Sequence, residues 1–258
     1  PSIAPSAPRG EASVSGGLRY RRILLKLSGE AFAESADRSL DSRLLTAMAG
    51  EIAEAVRLGV ELGIVVGGGN IIRGREQRER GIDRVTLDQM GMLATVINAL
   101  ALQSALEHEG LTVRVMSAVR INQVCEDFIH RRALRHLEKG RVVVFAGGTG
   151  NPFFTTDTAA ALRAIEIRAQ LVLKATKVDG IYDHDPALHE HASRYRHLDY
   201  DRILRDRLTV MDDTAIVLCR DNGIPLRVFD FQVPHALAAI ARGEQDIGTF
   251  VDSRGEGS

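Results

Sequence analysis

The chain has 258 residues, with 45% apolar and 26% charged side chains and a formal net charge of −1. That balance suits a soluble globular protein and argues against a broad cationic surface for nucleic acid. The two cysteines, Cys125 and Cys219, lie far apart with no Cys-x-x-Cys context, so neither a disulfide framework nor a zinc site is indicated, and a reducing, cytoplasmic compartment is the expectation.

Residues 1–17 are rich in Pro, Ser, Ala and Gly and lack the apolar core of a signal peptide, so they read as a flexible tail. RRILLKL, residues 21–27, is a short apolar run after basic residues and predicts a first buried strand. Asp41 to Arg57 predicts a helix, with Asp41 as cap and Leu44, Leu45, Met48, Ile52 and Val56 as its apolar stripe. GVELGIVVGGGN follows as turn, strand and glycine loop, and residues 71–82 as a polar connection. Thr86 or Asp88 would then open a helix through Glu109. Its segment from Gln89 to Leu106 carries no charge, but Thr95, Asn98, Gln103 and Ser104 interrupt it. Those polar groups are costly in hydrocarbon, so a buried or interface helix is expected rather than a membrane span.

LTVRVMSA reads as a strand, CEDFIHRRALRHLEKG as an amphipathic helix closed by Gly140, and GRVVVFAGG as another strand. Thr158 to Arg168 predicts a helix, AQLVLKAT a strand, and KVDGIYDHDP a turn-rich loop. The remainder gives two helices, YDRILRDR and DDTAIVLCRDNG, then the strand IPLRVFDF, the helix HALAAIARG and a last strand, IGTFV. Strands and helices alternate almost throughout, the signature of a mainly parallel sheet covered on both faces. With no linker inside it, residues 18–252 read as one domain, followed by a short tail, 253–258.

Ligands of such sheets sit at the C-terminal ends of the strands. Four loops meet that condition: Ser28–Glu30, Gly67–Gly74, Ala146–Asp157 and Thr176–Asp185. Gly67-Gly68-Gly69 permits close approach of backbone N–H groups to an anion. Arg73 and Arg75 just beyond it match phosphate geometry. The Walker A, dinucleotide-binding and protein-kinase patterns are all absent. Phosphate binding, if present, takes another form, and Lys26 at the end of the first strand is a candidate cation for it.

Five motifs together carry a resemblance. They are Lys26-Leu27-Ser28-Gly29-Glu30, Gly67-Gly68-Gly69-Asn70 with Arg73-Gly74, Asp88 to Thr95, Gly148 to Asp157 (GTGNPFFTTD), and Lys174 to Gly180 (KATKVDG). In these the chain resembles the bacterial uridylate (UMP) kinases of the amino acid kinase superfamily, from Leu18 to about Asp252. The resemblance implies a three-layer α/β/α sandwich with a mainly parallel central sheet. It implies phosphorylation of UMP to UDP by ATP with Mg2+, in pyrimidine nucleotide synthesis. It also implies a homohexamer built from dimers, with GTP as activator and UTP as inhibitor.

Site residues follow from the same resemblance. Lys26, Arg73 and Asp157 would be catalytic. Gly68, Asp88 and the run Thr149, Gly150, Asn151, Pro152, Phe153, Phe154, Thr155 and Thr156 would hold UMP. Lys26, Leu27, Ser28, Gly29, Gly69, Arg73, Thr176, Tyr182 and Asp185 would hold ATP, with Lys177 and Asp179 nearby. Arg114, His130 and Arg141 would form an allosteric site, and the uncharged helix from Met90 to Leu106 a dimer interface. Residue by residue, plainer readings stand beside these. Asp88 and Asp157 suit helix N-caps, and one of the two phenylalanines suits a core plug. Relatives that phosphorylate carboxylates tend to carry a lysine where this chain reads Leu208 to Asp213, which leaves Lys174 and Lys177 as candidates to balance charge on the ATP side. A carbamate or acetylglutamate kinase, or a nucleotide-binding regulator on the same fold, is the alternative.

Overall fold

The computed structural model of the chain describes residues 17–33, 39–72, 81–184, 188–189 and 191–253. A nine-stranded sheet runs through it, in the order β4-β3-β5-β2-β1-β6-β8-β9-β7. The strands are β1 (Arg22–Leu27), β2 (Glu61–Val66), β3 (Val113–Ser117), β4 (Glu126–Asp127), β5 (Val142–Ala146), β6 (Leu171–Thr176), β7 (His197–Asp199), β8 (Leu226–Asp230) and β9 (Thr249–Asp252). Each ladder between these strands is parallel except β8 with β9.

Seven helices cover the sheet among the described residues: α1 (Ser42–Arg57), α2 (Arg84–His108), α3 (His130–Glu138), α4 (Thr156–Glu166), α5 (Tyr200–Asp206), α6 (Asp213–Asp221) and α7 (Ala236–Arg242). Strand side chains alternate between the two faces, as the pleat requires. Ile23, Leu25 and Leu27 of β1, with Leu62, Ile64 and Val66 of β2, pack under α1, α2 and α7. Leu24 and Val65 point the other way, into the layer of α3, α4, α5 and α6. The result is the three-layer sandwich expected from the alternating pattern.

Several boundaries differ from the sequence reading, each for a local reason. Asp41 caps α1 as expected, accepting from the Arg43 N–H at 2.8 Å. Helix α2 starts at Arg84, before Thr86 and Asp88, because Asp83 caps it through the Thr86 N–H at 3.1 Å. Helix α4 starts at Thr156, with Thr155 as its N-cap. The expected helix from Cys125 shrinks to α3, because Glu126 and Asp127 pair with Met116 and Ser117 as the edge strand β4. Strand β7, also unforeseen, pairs with β9; both short strands lie at the sheet edges. Helix α2 alone among the described residues is long and apolar enough to cross a membrane. One face of it is buried against α1, β3 and β5, so it serves as a core helix.

Candidate active site

The four glycine-bearing or turn-rich loops leave the C-terminal ends of β5, β2, β1 and β6, which are neighbours in the sheet. The loops after β1 and β2 touch along their backbones. A Cβ on Gly29 would stand 2.3 Å from the Gly69 nitrogen, and one on Gly67 would stand 2.6 Å from the Gly29 nitrogen. Only glycine allows that approach. Two polar side chains of α2 hold the loops after β2 and β5 from behind. Asn98, fully buried, donates to the Gly67 carbonyl at 2.7 Å and to the Asn70 side chain at 2.7 Å. Thr95 accepts from the Gly147 N–H at 2.8 Å. In the sequence both interrupt an apolar helix, and Thr95 also closes the Asp88–Thr95 motif.

Lys26 and Lys174 stand in register on the adjacent strands β1 and β6. Their side chains share the α4 face of the sheet, opposite to Leu25, Leu27, Leu173 and Ala175. Asp157, in the first turn of α4, lies between them: Oδ1 is 2.7 Å from Lys26 Nζ, and Oδ2 accepts from Lys174 Nζ at 2.9 Å. Lys174 also donates to the Val210 carbonyl. Burial pushes the Asp157 carboxyl up, but the two ammonium groups outweigh it, and its pKa stands below the ordinary aspartate value. Burial pulls Lys174 down and Asp157 opposes it, with a net shift below the ordinary lysine value. Asp157 is therefore a charge partner and not a cap; Thr155 takes the capping role, accepting from the Asp157 and Thr158 N–H groups. The sequence reading did not single out Asp212. It caps α6 through the Ala215 N–H, accepts from Thr158 Oγ1 at 2.9 Å and also bonds the Thr155 hydroxyl. Its one sequence signal is an acid directly before the helical run Asp213–Asp221.

Next to the charged cluster is a cavity of about 200 Å3 between the two glycine loops, α2 and the start of α4. Gly68, Gly69, Asp88, Thr149, Asn151, Phe154, Thr155 and Thr156 line it, with Gly91, Met92 and Thr95 from α2. Gly150, Pro152 and Phe153 do not. Asp88 is not a cap: its carboxylate accepts from Arg84 Nε at 2.7 Å and from the Phe153 N–H at 2.7 Å, fastening the loop to α2. Phe153 holds φ of 73° and its ring lies 5.6 Å from the Arg84 guanidinium. Phe153 and Phe154 are 66% and 49% exposed, so neither plugs the core, and Phe154 is the one facing the cavity.

A second, larger cavity of about 670 Å3 opens on the α1 side; Ser28, Thr176 and Lys177 are part of its wall. Leu27 corrects an expectation: its side chain is fully buried in the core and its carbonyl accepts from the Gly67 N–H, so it positions Lys26 and Ser28 and offers no side-chain group to a ligand. Thr176 Oγ1 donates to the Val178 carbonyl at 2.6 Å. Tyr182 does not line that cavity, and its hydroxyl donates to Asp179 at 2.6 Å. Arg73 and Asp185 lie outside the described residues.

The three residues expected at an allosteric site are not brought together. Arg114 and Arg132 each stand 3.6 Å from Glu126, on a cavity of about 600 Å3 beside β3 and β4. Arg141 reaches this group only through His136, at 3.1 Å. His130 is exposed at the start of α3 and does not line the cavity; Arg132, two residues on, does.

The model of the amino acid kinase family matches residues 21–230. The uridylate kinase of Xanthomonas axonopodis pv. citri is 59% identical over 237 residues, covering 92% of this chain and 98% of that one. That of Methylococcus capsulatus is 60% identical over 232 residues, covering 90% and 97%. The chain belongs to the amino acid kinase family, among its uridylate kinases. Solved members of that group share the architecture: UMP kinase from Bacillus anthracis superposes with a TM-score of 0.89 at 42% identity, covering 91% of this chain and 97% of that one. The uridylate kinase of Archaeoglobus fulgidus gives 0.68 at 26% identity, covering 89% and 99%. In this uridylate kinase fold, the Lys26–Asp157–Lys174 cluster and the cavity beside it lie at the C-terminal strand ends, where open α/β sheets place ligands.

Proposed function

We propose that this protein transfers the γ-phosphoryl group of ATP to UMP, giving UDP and ADP. The observation that carries the reading is the pair of in-register lysines bridged by Asp157, beside a cavity lined by Asp88 and threonines. The acceptor is an oxygen of the UMP phosphate. It is already anionic, so no general base is needed, and the protein's task is positioning and neutralising charge. Lys26 and Lys174 place two positive charges where the transferred group passes, and Asp157 keeps them apart and aligned. Loss of one such contact costs about 3 kcal/mol in the transition state, by analogy with an oxyanion donor. Asp88 and the threonines of the Thr149–Thr156 run hold UMP, with Phe154 beside the base. Arg73 supports the phosphates from the connection after β2.

ATP brings its own cation. Asp157 Oδ1 carries no aligned hydrogen bond although it is buried, so it has an acceptor position left for a water of Mg2+, and Asp212 stands nearby through Thr158. These donors suit a magnesium ion that keeps several waters. When bound, it would neutralise charge on the ATP phosphates. Thr176, Tyr182 and Asp185 serve the adenosine end.

Leu93 and Ile97, one turn apart on the outer face of α2, are both about half exposed. We assign this face to a dimer contact, within a homohexamer built from dimers. GTP activation, UTP inhibition and a cytoplasmic location belong to the same reading, with the Arg114 cavity as the effector site.

A coupled assay with ATP and Mg2+ against UMP, CMP, AMP, carbamate and acetylglutamate tests the assignment. UMP should be the preferred acceptor by a wide margin, and activity without preference for UMP would overturn it.

A further inference from the structure

The opposite end of the sheet carries another charged cavity, unconnected with the lysine cluster. Its volume is about 330 Å3, and it is framed by Arg19, Tyr20, Arg196, His197, Arg227 and Phe250, with Gln245 and Asp246 at its margin. Arg227 lies near the N-terminal end of β8, in register with Phe250 of β9. It is only 3% exposed. Its Nη1 donates to the carbonyls of Glu244 and Ile247 at 2.5 and 3.1 Å. Its Nε is buried with no acceptor, and no carboxylate among the described residues pairs with it. Burial pulls its pKa below the ordinary arginine value and Arg19 adds to that pull, while Tyr20 and Glu244 oppose it without reversing it. The acid at the margin does little to offset this: Asp246 touches Arg196 at 3.8 Å, and both are mostly exposed.

The Phe250 ring stands 5.2 Å from the Arg227 guanidinium, but a buried guanidinium without a directly paired carboxylate is costly. Three arginines around one cavity repel each other unless an anion joins them. The guanidinium fork matches phosphate oxygens as it does carboxylate oxygens, but a phosphate carries more charge and more acceptor oxygens to set against three arginines; the Phe250 and His197 rings, 5.7 Å apart, give the cavity an aromatic wall. We propose that this cavity, with Arg227 at its base and Arg19 and Arg196 at its rim, is a binding site for a small phosphate-bearing anion. Bound there, the anion accepts from Arg227 Nε and bridges the two rim arginines. It is remote from the catalytic strand ends, so its occupancy acts on the packing of β8, β9 and the segment before β1, not on the reacting groups.

The His197 ring is a local reporter, since it lines the cavity and pairs with Asp252 at 3.0 Å. NMR of that ring during titration with inorganic phosphate, pyrophosphate and a nucleoside monophosphate, each against sodium chloride at matched ionic strength, tests the site in the full chain. A saturable shift with a phosphate-bearing probe and none with chloride is expected; whether the free anion or the nucleotide binds more tightly identifies the source. Arg19→Gln, at an exposed position, should weaken binding roughly tenfold, and Arg227→Met should abolish it, with unchanged turnover at the catalytic end in both. No saturable shift, or a shift that persists unweakened in Arg19→Gln, would overturn the proposal and leave Arg227 as a clamp on the Glu244–Ile247 turn.

Discussion

Asp157 is where the charges of the site meet. Two ammonium groups on neighbouring strands, Lys26 buried and Lys174 half-buried, repel each other, and one carboxylate between them neutralises half of that charge. Asp157→Asn should therefore lower stability as well as turnover, by about 3 kcal/mol for a broken buried pair. The double variant Asp157→Asn/Lys174→Met should regain most of the melting temperature and none of the turnover; recovered turnover would remove Lys174 from the chemistry. The pH dependence has a defined sign. Asp157 binds its proton less tightly when folded, so its stabilisation is present above the ordinary aspartate range and is lost as pH falls through its depressed folded value. Lys174 is depressed too. It therefore opposes folding while protonated, and stability should rise between its folded and unfolded values on the alkaline side. Lys174→Met should erase that alkaline rise in melting temperature. Gly29→Ala offers a purely steric test, because the new Cβ would meet the Gly69 backbone at 2.3 Å. Turnover should fall at least tenfold while the circular dichroism spectrum is kept; normal turnover would mean the two loops separate without consequence.

Among the elements, α2 joins the glycine loops to the core. Its buried Asn98 and Thr95 hold the loops after β2 and β5 from one helix face, one turn apart. Asn98→Leu keeps the helix pattern but leaves the Gly67 carbonyl without that donor. It should cost about 1–3 kcal/mol in stability and raise KM for the acceptor more than it lowers kcat, measured by steady-state kinetics with thermal melts; an unchanged KM would separate α2 from substrate binding. The sequence revealed this helix by its length and missing charges, yet misplaced its start, because Asp83, Thr86 and Asp88 are all plausible caps and only the backbone selects Asp83. The misreading of Glu126 and Asp127 as helical has a similar cause. A two-residue edge strand has no period to detect, and only the exposed edge of β3 makes it a strand.

For the whole molecule, the outward face of α2 predicts assembly. Leu93→Glu should dissociate the dimer, read by light scattering on a sizing column, with the monomer keeping its secondary structure; an unchanged mass would place the contact elsewhere. Periodicity by itself determined that strands and helices alternate, that the sheet is mainly parallel, and that four loops face one edge. The five motifs determined the family and the residue types at that edge. Strand order and side-chain direction were decided only by the tertiary structure. Lys26 and Lys174 are 148 positions apart in sequence, and nothing local says that β1 and β6 pair in the register that sets them side by side. Capping propensity offered Asp157 a helix-end role; the same side chain became the bridge between two lysines because packing α4 across those strands put its first turn over them. Arg227 was equally silent in sequence, since a lone arginine in a strand becomes a buried charge without a paired carboxylate only when the fold has sealed the space around it.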